Sequence, residues 1–403
     1  MGPATDSTPP ALPVETEAFS SDPDPFLAAA RRDHPWLARF SQGYVVHGHR
    51  ATEDLLANDT DLAVGFAGVA EHYGLDNTMW ARFLKGIMSG HSGSEHRRLR
   101  SSVAHAFTPR HANQVRPLMQ RVITELLDDW APRREFDFAE FASYFPIAVI
   151  CGLLGMSTVS IPRIRTAIEV HFEVFTLDLA LKPLIMPNWD VLWSFADDLV
   201  RDREATGEHD ENALLDALIA AKNAGRIDED ELRFMLILLL EAGYDSSKNM
   251  LTLTMNTLLD HPEIYARCAR DKDYCGKVVQ EALRQSGVAV TYRVVKTDFT
   301  YDGQAFREGD RLAFALSLPG RDPAFFADPL SFDPLRPNVN RHVAFGRGAH
   351  ICLGQFIART LLQEGLHQIA RRLTNPRLNG EISWRPILGV WGLKTLPIAF
   401  EPA

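Results

Sequence analysis

A cysteine with an unusual sequence context is the residue of this 403-residue chain whose chemistry is easiest to predict. Cys352 lies in the segment FGRGAHICLG (345–354), between two glycines and an amphipathic helical pattern. Gly346 and Gly348 permit tight backbone turns and the close approach of a flat ligand. The N-terminus of the following helix favours thiolate over thiol. The segment predicts a soft metal ligand at Cys352, whereas a lone cysteine of ordinary context is an inert core residue.

A long helix carries the second group of candidate residues. Asp228 and Glu231 have the spacing of a capping box, and the helical pattern runs from there to Pro262, where the proline should end it. Roughly 30 residues would cross a whole domain, and the apolar first half predicts burial at its centre. Polar or small residues nevertheless interrupt its middle: Glu241, Gly243, Asp245, Ser246 and Ser247.

Buried polar groups in mid-helix are costly, so these residues need an explanation. An unexplained buried acid such as Asp245 usually marks a functional site. The alternative is a local kink at which the hydroxyls bond back to the helix carbonyls. Two further pairs share a helix face by their spacing: Glu281 with Arg284, and His96 with Arg100. Each pair alone is also typical of an ordinary solvated helix surface.

Composition excludes several classes of protein. The net charge of −10 argues against a nucleic-acid partner, which would need a basic surface. Four scattered cysteines without a C-x-x-C pair argue against a disulfide scaffold, a structural zinc site and an iron–sulfur cluster. No apolar run reaches the roughly 18 residues that span a bilayer, so no membrane anchor is expected. The polar start of the chain lacks a signal-peptide pattern, which predicts a cytoplasmic protein.

Periodicity predicts the elements that position these residues. Residues 1–22 are polar and proline-rich and predict a flexible N-terminal tail, followed by one large domain over 23–403. Helical spacing dominates 23–270, for example in 111–130 and 211–225, and returns at 353–373. Alternating β-branched and aromatic residues over 287–335, with turns at Asp302-Gly303 and Glu308-Gly309, predict strands, as does the C-terminus. The predicted class is mainly α with a minor β lobe.

The spacing Phe-Gly-x-Gly-x-His-x-Cys-x-Gly around Cys352 resembles the haem-binding signature of the cytochrome P450 superfamily, of the bacterial soluble type. The resemblance implies a single large cytochrome P450 fold, with haem b between the long central helix and the cysteine loop. It makes Cys352 the axial thiolate ligand of the iron. By the same resemblance, the other signature positions surround the haem: Phe345 beside the thiolate, Gly346 in the loop, His350 at a propionate, and Gly354 where the next helix approaches the porphyrin.

Three other segments resemble the same family in the expected order. His96 and Arg100, with Arg293 in the segment YRVV, match its haem-propionate partners. The segment EAGYDSSKN (241–249) matches its oxygen-activation motif, with Asp245 as the acid and Ser246 in place of the usual threonine. Serine keeps the hydroxyl but lacks the methyl that restricts χ1. The family's structural cluster, which holds the cysteine loop, matches Glu281, Arg284 and Arg336.

The resemblance implies a monooxygenase that inserts one atom of O2 into an apolar terpenoid, steroid, fatty acid or secondary metabolite. It implies a monomer that takes electrons from NAD(P)H through a separate ferredoxin and ferredoxin reductase. The positive charges of EHRRLR (95–100) and Arg347 are expected to steer an acidic ferredoxin. Segments that match the family's pocket are apolar, and the expected substrate contacts are Met88, Phe172, Ala242, Gly243, Val290 and Val390.

Two other functions remain open at this point. An oxidative coupling enzyme or a peroxygenase would keep the same fold, although the pair Asp245-Ser246 argues against a peroxygenase. A haem gas sensor would not be an enzyme, and the proton-relay residues would then have no purpose.

Overall fold

Helices account for most of the regular structure, as the sequence predicts. The computed structural model describes residues 8–66, 68–157, 161–207 and 213–402. The α-helices of these residues are α1 Glu17–Ser21, α2 Asp24–Asp33, α3 His49–Leu56, α4 Val69–His72, α5 Met79–Gly86, α6 Gly93–Val103, α7 Pro109–Gln114, α8 Arg116–Trp130, α9 Phe138–Leu154, α10 Ile161–Glu173, α11 Lys182–Thr206, α12 Leu214–Asn223, α13 Glu229–Leu259, α14 Pro262–Arg270, α15 Lys272–Ser286 and α16 Gln355–Arg372.

The strands are short. They are β1 Leu37–Phe40, β2 Gly43–Val46, β3 Leu62–Val64, β4 Glu135–Asp137, β5 Val290–Val295, β6 Phe299–Tyr301, β7 Gln304–Phe306, β8 Arg311–Ala315, β9 Leu373–Leu378, β10 Ser383–Trp384, β11 Leu393–Thr395 and β12 Pro397–Pro402. Those from β5 onward lie in the regions where the sequence predicts β structure or C-terminal to them, whereas β1 to β4 lie within 23–270, where the sequence predicts mainly helices.

The chain folds into two compact units. The first contains the segment up to Phe66, Gln280–Cys352 and Trp384–Gly392. The second contains the segment that follows Phe66 and ends at Val279, together with Leu353–Ser383 and the residues from Leu393 onward. The expectation of a single domain over 23–403 stays a prediction. Within the described residues, no helix combines the length and apolar character needed to cross a membrane.

A five-stranded sheet with the order β1-β2-β8-β5-β3 organises the first unit. β2 and β8 run parallel, and the other neighbours are antiparallel. One face packs on a core that includes Leu37, Val46, Leu312 and Phe314. Alternation along β5 buries Arg293 opposite Leu312, so the sheet places a cation in a largely apolar layer. The predicted hairpin turn is confirmed between β6 and β7, where Asp302 and Gly303 both have positive φ.

Helix α13 is the long central helix of the second unit. Its N-terminus is the predicted capping box: the Glu231 backbone N–H donates to Asp228 at 2.8 Å, and the Asp228 N–H donates to the Glu231 carboxylate at 2.9 Å. The helix ends at Leu259, just before Pro262, as expected. Its apolar residues are buried against α9 and neighbouring helices, which accounts for their occurrence on every face.

The predicted N-terminal tail requires a correction from residue 8 onward. Ala11 pairs with Arg39 as a β-bridge, and α1 buries Phe19 completely. Ser20 accepts the Ile387 N–H at 3.0 Å and the Trp391 indole N–H at 2.9 Å. Apolar residues spaced among the prolines are enough to anchor this segment to the first unit. Residues 1–7 lie outside the described residues.

Two helix predictions also change in detail. The helix predicted over 111–130 is two helices, because Pro117 lies in the first turn of α8 and lacks the N–H that a continuous helix would use. The pattern over 211–225 corresponds to α12, which begins at Leu214 and ends at Asn223. Residues 211 and 212 lie outside the described part of the chain.

Candidate active site

The cysteine loop is a closed backbone turn in the first unit. The Cys352 N–H donates to the Phe345 carbonyl at 2.8 Å, and the Gly346 N–H donates to Val343 at 2.8 Å. Gly346 and Gly348 both have φ of +72°, which glycine adopts without strain. A Cβ at Gly348 would lie 2.8 Å from the Leu56 carbonyl oxygen, whereas a Cβ at Gly346 would meet nothing within 4 Å. Packing therefore explains Gly348, and open space lies beside Gly346.

Cys352 is the most accessible of the four cysteines. It is half-buried, whereas Cys151, Cys268 and Cys275 are fully buried. Burial raises the pKa of Cys151 to about 12, so that residue stays a thiol. Cys352 instead lies three residues before Gln355, where α16 begins with Gly354 as its N-cap. An accessible sulfur close to a helix N-terminus suits a thiolate metal ligand.

Arg293 is a buried cation that has no carboxylate partner within the described part of the chain. It is 3% exposed, and its guanidinium donates to Thr291 Oγ1 at 3.1 Å and to the Tyr292 carbonyl at 3.0 Å. Burial lowers its pKa, an effect that Asp59 opposes only through longer-range attraction. Among the described residues it forms no ion pair. A buried arginine of this kind fits an anionic ligand group such as a haem propionate.

The other predicted propionate partners lie on separate elements. His96 is buried and Arg100 half-buried on α6, in the second unit. His350 ends a 3-10 turn, Gly348–His350, in the cysteine loop of the first unit and is half-buried. The i, i+4 spacing of His96 and Arg100 puts these two residues on one face of α6, as expected.

The structure brings Glu281, Arg284 and Arg336 together in the first unit. The Arg284 Nε and Nη2 donate to the two Glu281 oxygens at 2.8 and 2.7 Å, and the Arg336 Nε donates to Glu281 at 3.1 Å. Glu281 and Arg284 are fully buried. The Asp333 N–H also donates to the carboxylate, at 3.0 Å.

The two arginines also bind the backbone that precedes the cysteine loop. Arg284 donates to the carbonyls of Gly320 and Pro329 at 2.6 and 2.8 Å, and Arg336 donates to that of Ser331 at 2.8 Å. One buried carboxylate therefore anchors two cations that hold residues 320–331 in place. The Gln280 side chain, next to Glu281, reaches His342 at 3.2 Å, just before the loop.

Helix α13 has an accessible face in its otherwise buried middle. Ala242 is exposed and Ser246 is half-buried, whereas Tyr244 and Asp245 are fully buried. The Ser246 hydroxyl donates to the Ala242 carbonyl at 3.0 Å, which is the back-bonded geometry of the alternative interpretation. Its oxygen lone pairs therefore remain available as acceptors, and donation to a ligand requires a rotation of χ1.

Asn249 is a site residue that the sequence interpretation missed. Its amide donates to Asp245 Oδ1 at 3.1 Å and to the Asp245 carbonyl at 2.8 Å, and it is fully buried. This contact orients one carboxylate oxygen of the predicted acid. The signal was present, because residues four apart on a helix share a face.

The predicted substrate contacts belong to different parts of the fold. In the second unit, Met88 is buried and Phe172 is half-buried on α10. Gly243 leaves room for Ile150 of α9, because a Cβ at position 243 would lie 2.9 Å from the Ile150 Cδ1 atom. Helix packing is therefore one reason for Gly243. In the first unit, Val290 is half-buried and begins β5, and Val390 is buried in a bridge to Ala289.

The basic residues expected to steer a partner are partly neutralised. Arg98 pairs with Glu95 at 2.8 Å and Glu231 at 2.5 Å, and these carboxylates raise its pKa further. Arg347 pairs with Glu53 at 3.1 Å. Arg97, on the same helix as Arg98, is exposed. The steering role expected of EHRRLR and Arg347 is therefore weakened at Arg98 and Arg347.

Similarity to known proteins now identifies the family. The Cytochrome P450 family model matches residues 70–375. Luteothin monooxygenase of Streptomyces thioluteus is 32% identical over 392 residues, 96% of this chain and 94% of that protein. Pentalenic acid synthase of Streptomyces avermitilis is 32% identical over 370 residues, 89% of this chain and 88% of that protein.

Solved structures support the same assignment. CxnD, a cytochrome P450 enzyme for C–S bond formation in chuangxinmycin biosynthesis, has a TM-score of 0.87 at 26% identity, covering 98% of this chain and 99% of that one. The myxobacterial cytochrome P450 CYP267B1, solved with myristic acid, has the same score and identity, covering 97% and 99%. Together with the accessible cysteine in its signature loop, these matches show that the chain belongs to the cytochrome P450 family and is a monooxygenase of that family.

Proposed function

We propose that this P450 monooxygenase uses Cys352 as the thiolate ligand of haem b and oxidises an apolar small molecule. The observation that carries the proposal is the loop itself, with an accessible cysteine and open space beside Gly346. When bound, haem would supply the chemistry of O2 reduction and oxygen transfer. The chain's own residues would bind the cofactor and the substrate and deliver protons.

The residues proposed to hold haem are of three kinds. Cys352 supplies the thiolate, and the loop positions Phe345, Gly346 and Gly354 are its neighbours in the signature. Cationic and imidazole side chains would bind the propionates: His96, Arg100, Arg293 and His350. Arg293 is the best supported of these, because it is buried and forms no ion pair with any described residue.

Haem retention tests this assignment. Arg293→Leu should lower haem affinity by roughly 10- to 150-fold, the equivalent of one charge-assisted hydrogen bond of about 1.5–3 kcal/mol. It should cost the apoprotein little stability, because the buried charge that it removes has no carboxylate partner among the described residues and bonds locally to Thr291 and Tyr292. The measurement is haem content after a challenge with apomyoglobin, beside the thermal unfolding of the apoprotein.

Two companion variants complete the experiment. Combining Arg293→Leu with His96→Ala should lower occupancy well below either single change, whereas Arg293→Lys should retain part of it. Full haem retention in the double variant would show that these residues do not bind the cofactor.

Asp245 and Ser246 are proposed to deliver protons during oxygen activation. Asp245 is buried and oriented by Asn249, and Ser246 is on the accessible face of α13. Serine can turn its hydroxyl from the Ala242 carbonyl toward a ligand, because no methyl group restricts χ1. The hydroxyl can therefore serve as a proton donor at this position, with less rotamer control than threonine.

Coupling efficiency tests the role of Ser246. Ser246→Ala should keep NAD(P)H consumption but divert electrons from product to hydrogen peroxide, because the donor hydroxyl is gone. Ser246→Thr should hold or improve coupling, and Asp245→Asn should slow oxygen-dependent turnover. Product and peroxide formed per NAD(P)H give the answer. If Ser246→Ala couples as well as the wild type, a water molecule or a substrate hydroxyl delivers the proton instead of Ser246.

The proposed substrate is an apolar terpenoid, steroid, fatty acid or secondary metabolite. Support comes from the residues predicted to contact it: the aromatic Phe172 is partly accessible on α10, and the small Ala242 is exposed on α13. Electrons are proposed to come from NAD(P)H through a ferredoxin and its reductase. Exposed Arg97 and Arg110 of the second unit support an acidic partner, and the enzyme is proposed to act as a monomer.

Isotope labelling tests the reaction. The enzyme would be supplied with a bacterial ferredoxin, its reductase, NADPH and ¹⁸O2, and with myristic acid, testosterone and a sesquiterpene as probes. One ¹⁸O atom per product is the expected result. Products without ¹⁸O would indicate oxidative coupling, a reaction favoured by the similarity to CxnD. Turnover with hydrogen peroxide alone would indicate a peroxygenase, and ligand binding without turnover across a broader panel would favour a sensor.

A further inference from the structure

Three buried side chains of the second unit form a hydrogen-bonded chain that none of the roles above uses. The Trp80 indole of α5 bonds to the Nε2 atom of His171 on α10, and the Nδ1 atom of His171 bonds to the Glu241 carboxylate of α13. Trp80 is fully buried, and His171 and Glu241 are each 5% exposed. This contact also explains why an acid interrupts the apolar half of α13.

The hydrogen-bond inventory determines the direction of this chain. An indole N–H can only donate, so the Nε2 atom of His171 must accept. The proton of the neutral ring is therefore on Nδ1, and it donates to Glu241. A second proton on His171 would place two N–H groups face to face at Trp80. Both hydrogen bonds of His171 form only with this one tautomer, and together they determine the orientation of its imidazole ring.

A second polar contact joins the same two helices. The Tyr244 hydroxyl and the Lys248 ammonium both donate to Glu169 of α10 at 2.6 Å. Burial by itself would raise the pKa of Glu169, but the attraction and hydrogen bond of Lys248 outweigh it and hold the pKa below its usual range. Helices α10 and α13 therefore meet through directional polar contacts rather than through apolar packing alone.

Directional hydrogen bonds determine the position of one helix along the axis of another, whereas apolar surfaces allow one helix to slide along the other. A slip of α10 along α13 would leave Glu241 and His171 buried without partners, which costs more than a lost apolar contact. The neighbours of these two residues in sequence are Phe172 and Ala242, both proposed to contact substrate. The polar contacts therefore determine how Phe172 on α10 and Ala242 on α13 are placed relative to each other.

We propose that Trp80, His171 and Glu241 are positioning residues that hold α10 on α13 and so determine which large apolar ligands the enzyme accepts. This inference depends on the proposed function, in which Phe172 and Ala242 contact the substrate. Without these hydrogen bonds, α10 would be less well ordered. A large ligand would then have to order α10 when it binds, and this cost weakens the affinity of the ligand. A small ligand that does not reach α10 would be unaffected.

Two iron-binding azoles of different size test the proposal. Imidazole is small, whereas clotrimazole carries three aromatic rings. Trp80→Phe keeps an aromatic ring but removes the N–H donor together with part of the indole, and Glu241→Leu removes the acceptor. In both variants the Kd of clotrimazole, from its spectral shift, should rise roughly tenfold, the equivalent of about 1.4 kcal/mol. The Kd of imidazole and the CO-difference spectrum should not change.

Two controls separate positioning from stability. Glu241→Gln retains an acceptor oxygen and should bind both azoles much as the wild type does. Asp216→Asn removes the charge from another ion pair of the second unit, the half-buried Arg203 with the buried Asp216 at 2.9 Å, and should lower stability without changing the ratio of the two Kd values. An unchanged ratio in both Trp80→Phe and Glu241→Leu, or an equal change in Asp216→Asn, would overturn the proposal.

Hydrogen exchange gives a readout that does not depend on haem. Amides of α10 should exchange faster in Trp80→Phe and Glu241→Leu than in Asp216→Asn, and equal rates would overturn the positioning role. A wild-type protein without any azole-induced spectral shift would instead contradict the proposed haem site. The two failures therefore have different signatures.

Discussion

Replacement of Cys352 by serine or histidine is expected to abolish monooxygenation and the strongly red-shifted Soret band of the reduced, CO-bound protein. That band requires a thiolate ligand, which neither serine nor histidine supplies. Electron donation from the thiolate also favours O–O cleavage, so activity should be lost along with the band. The measurements are the CO-difference spectrum and product formation with ferredoxin, reductase and NADPH.

The other cysteines supply matched controls. Cys151→Ser and Cys268→Ser alter fully buried residues of the second unit and should keep the band, although they lower stability. The prediction would be wrong if the wild type lacked the red-shifted band or if Cys352→Ser retained it.

Glu281→Gln is expected to destabilise the protein by about 3–5 kcal/mol, because it leaves two buried arginines without their common anion. Arg284 and Glu281 are fully buried and Arg336 is 7% exposed, so water cannot replace the lost charge. The free energy of unfolding can be measured by urea titration. Because the arginines also hold residues 320–331, we expect haem retention to fall as well.

A compensating variant and an exposed control make this result interpretable. Adding Arg336→Met to Glu281→Gln removes one of the two orphaned cations and should recover part of the loss. Glu229→Gln changes a carboxylate whose side chain is 60% exposed in its pair with Arg233, and its effect should stay below about 1 kcal/mol. Equal losses for Glu281→Gln and Glu229→Gln would show that the buried cluster does not contribute in this way.

Local signals in the sequence predicted the parts of this protein that depend on a few neighbouring residues. The capping box at Asp228 and the proline at 262 give α13 its ends, because both act within one helical turn. The turn at Asp302-Gly303 follows from their tolerance of positive φ. The spacing around Cys352 indicated the family for the same reason, since the loop's conformation depends on glycines close to the cysteine.

Contacts between distant segments decided the rest. The tail was mispredicted because its anchors, Ser20 with Ile387 and Trp391, are more than 360 positions apart in sequence. The partner of Glu241 lies 70 positions away, so the sequence could show a costly acid but not the histidine that compensates it. Composition showed basic residues but could not show that Glu53 neutralises Arg347.

The sequence by itself therefore determined the fold class, the family and the residues that could do chemistry, because types and short spacings carry that information. Only the tertiary structure decided how those residues are supported: Arg293 is buried without a carboxylate partner among the described residues, and Arg284 binds the carbonyls of Gly320 and Pro329. The physical reason is that burial and hydrogen-bond partners arise from packing. Packing brings together groups whose separation along the chain has no periodic pattern.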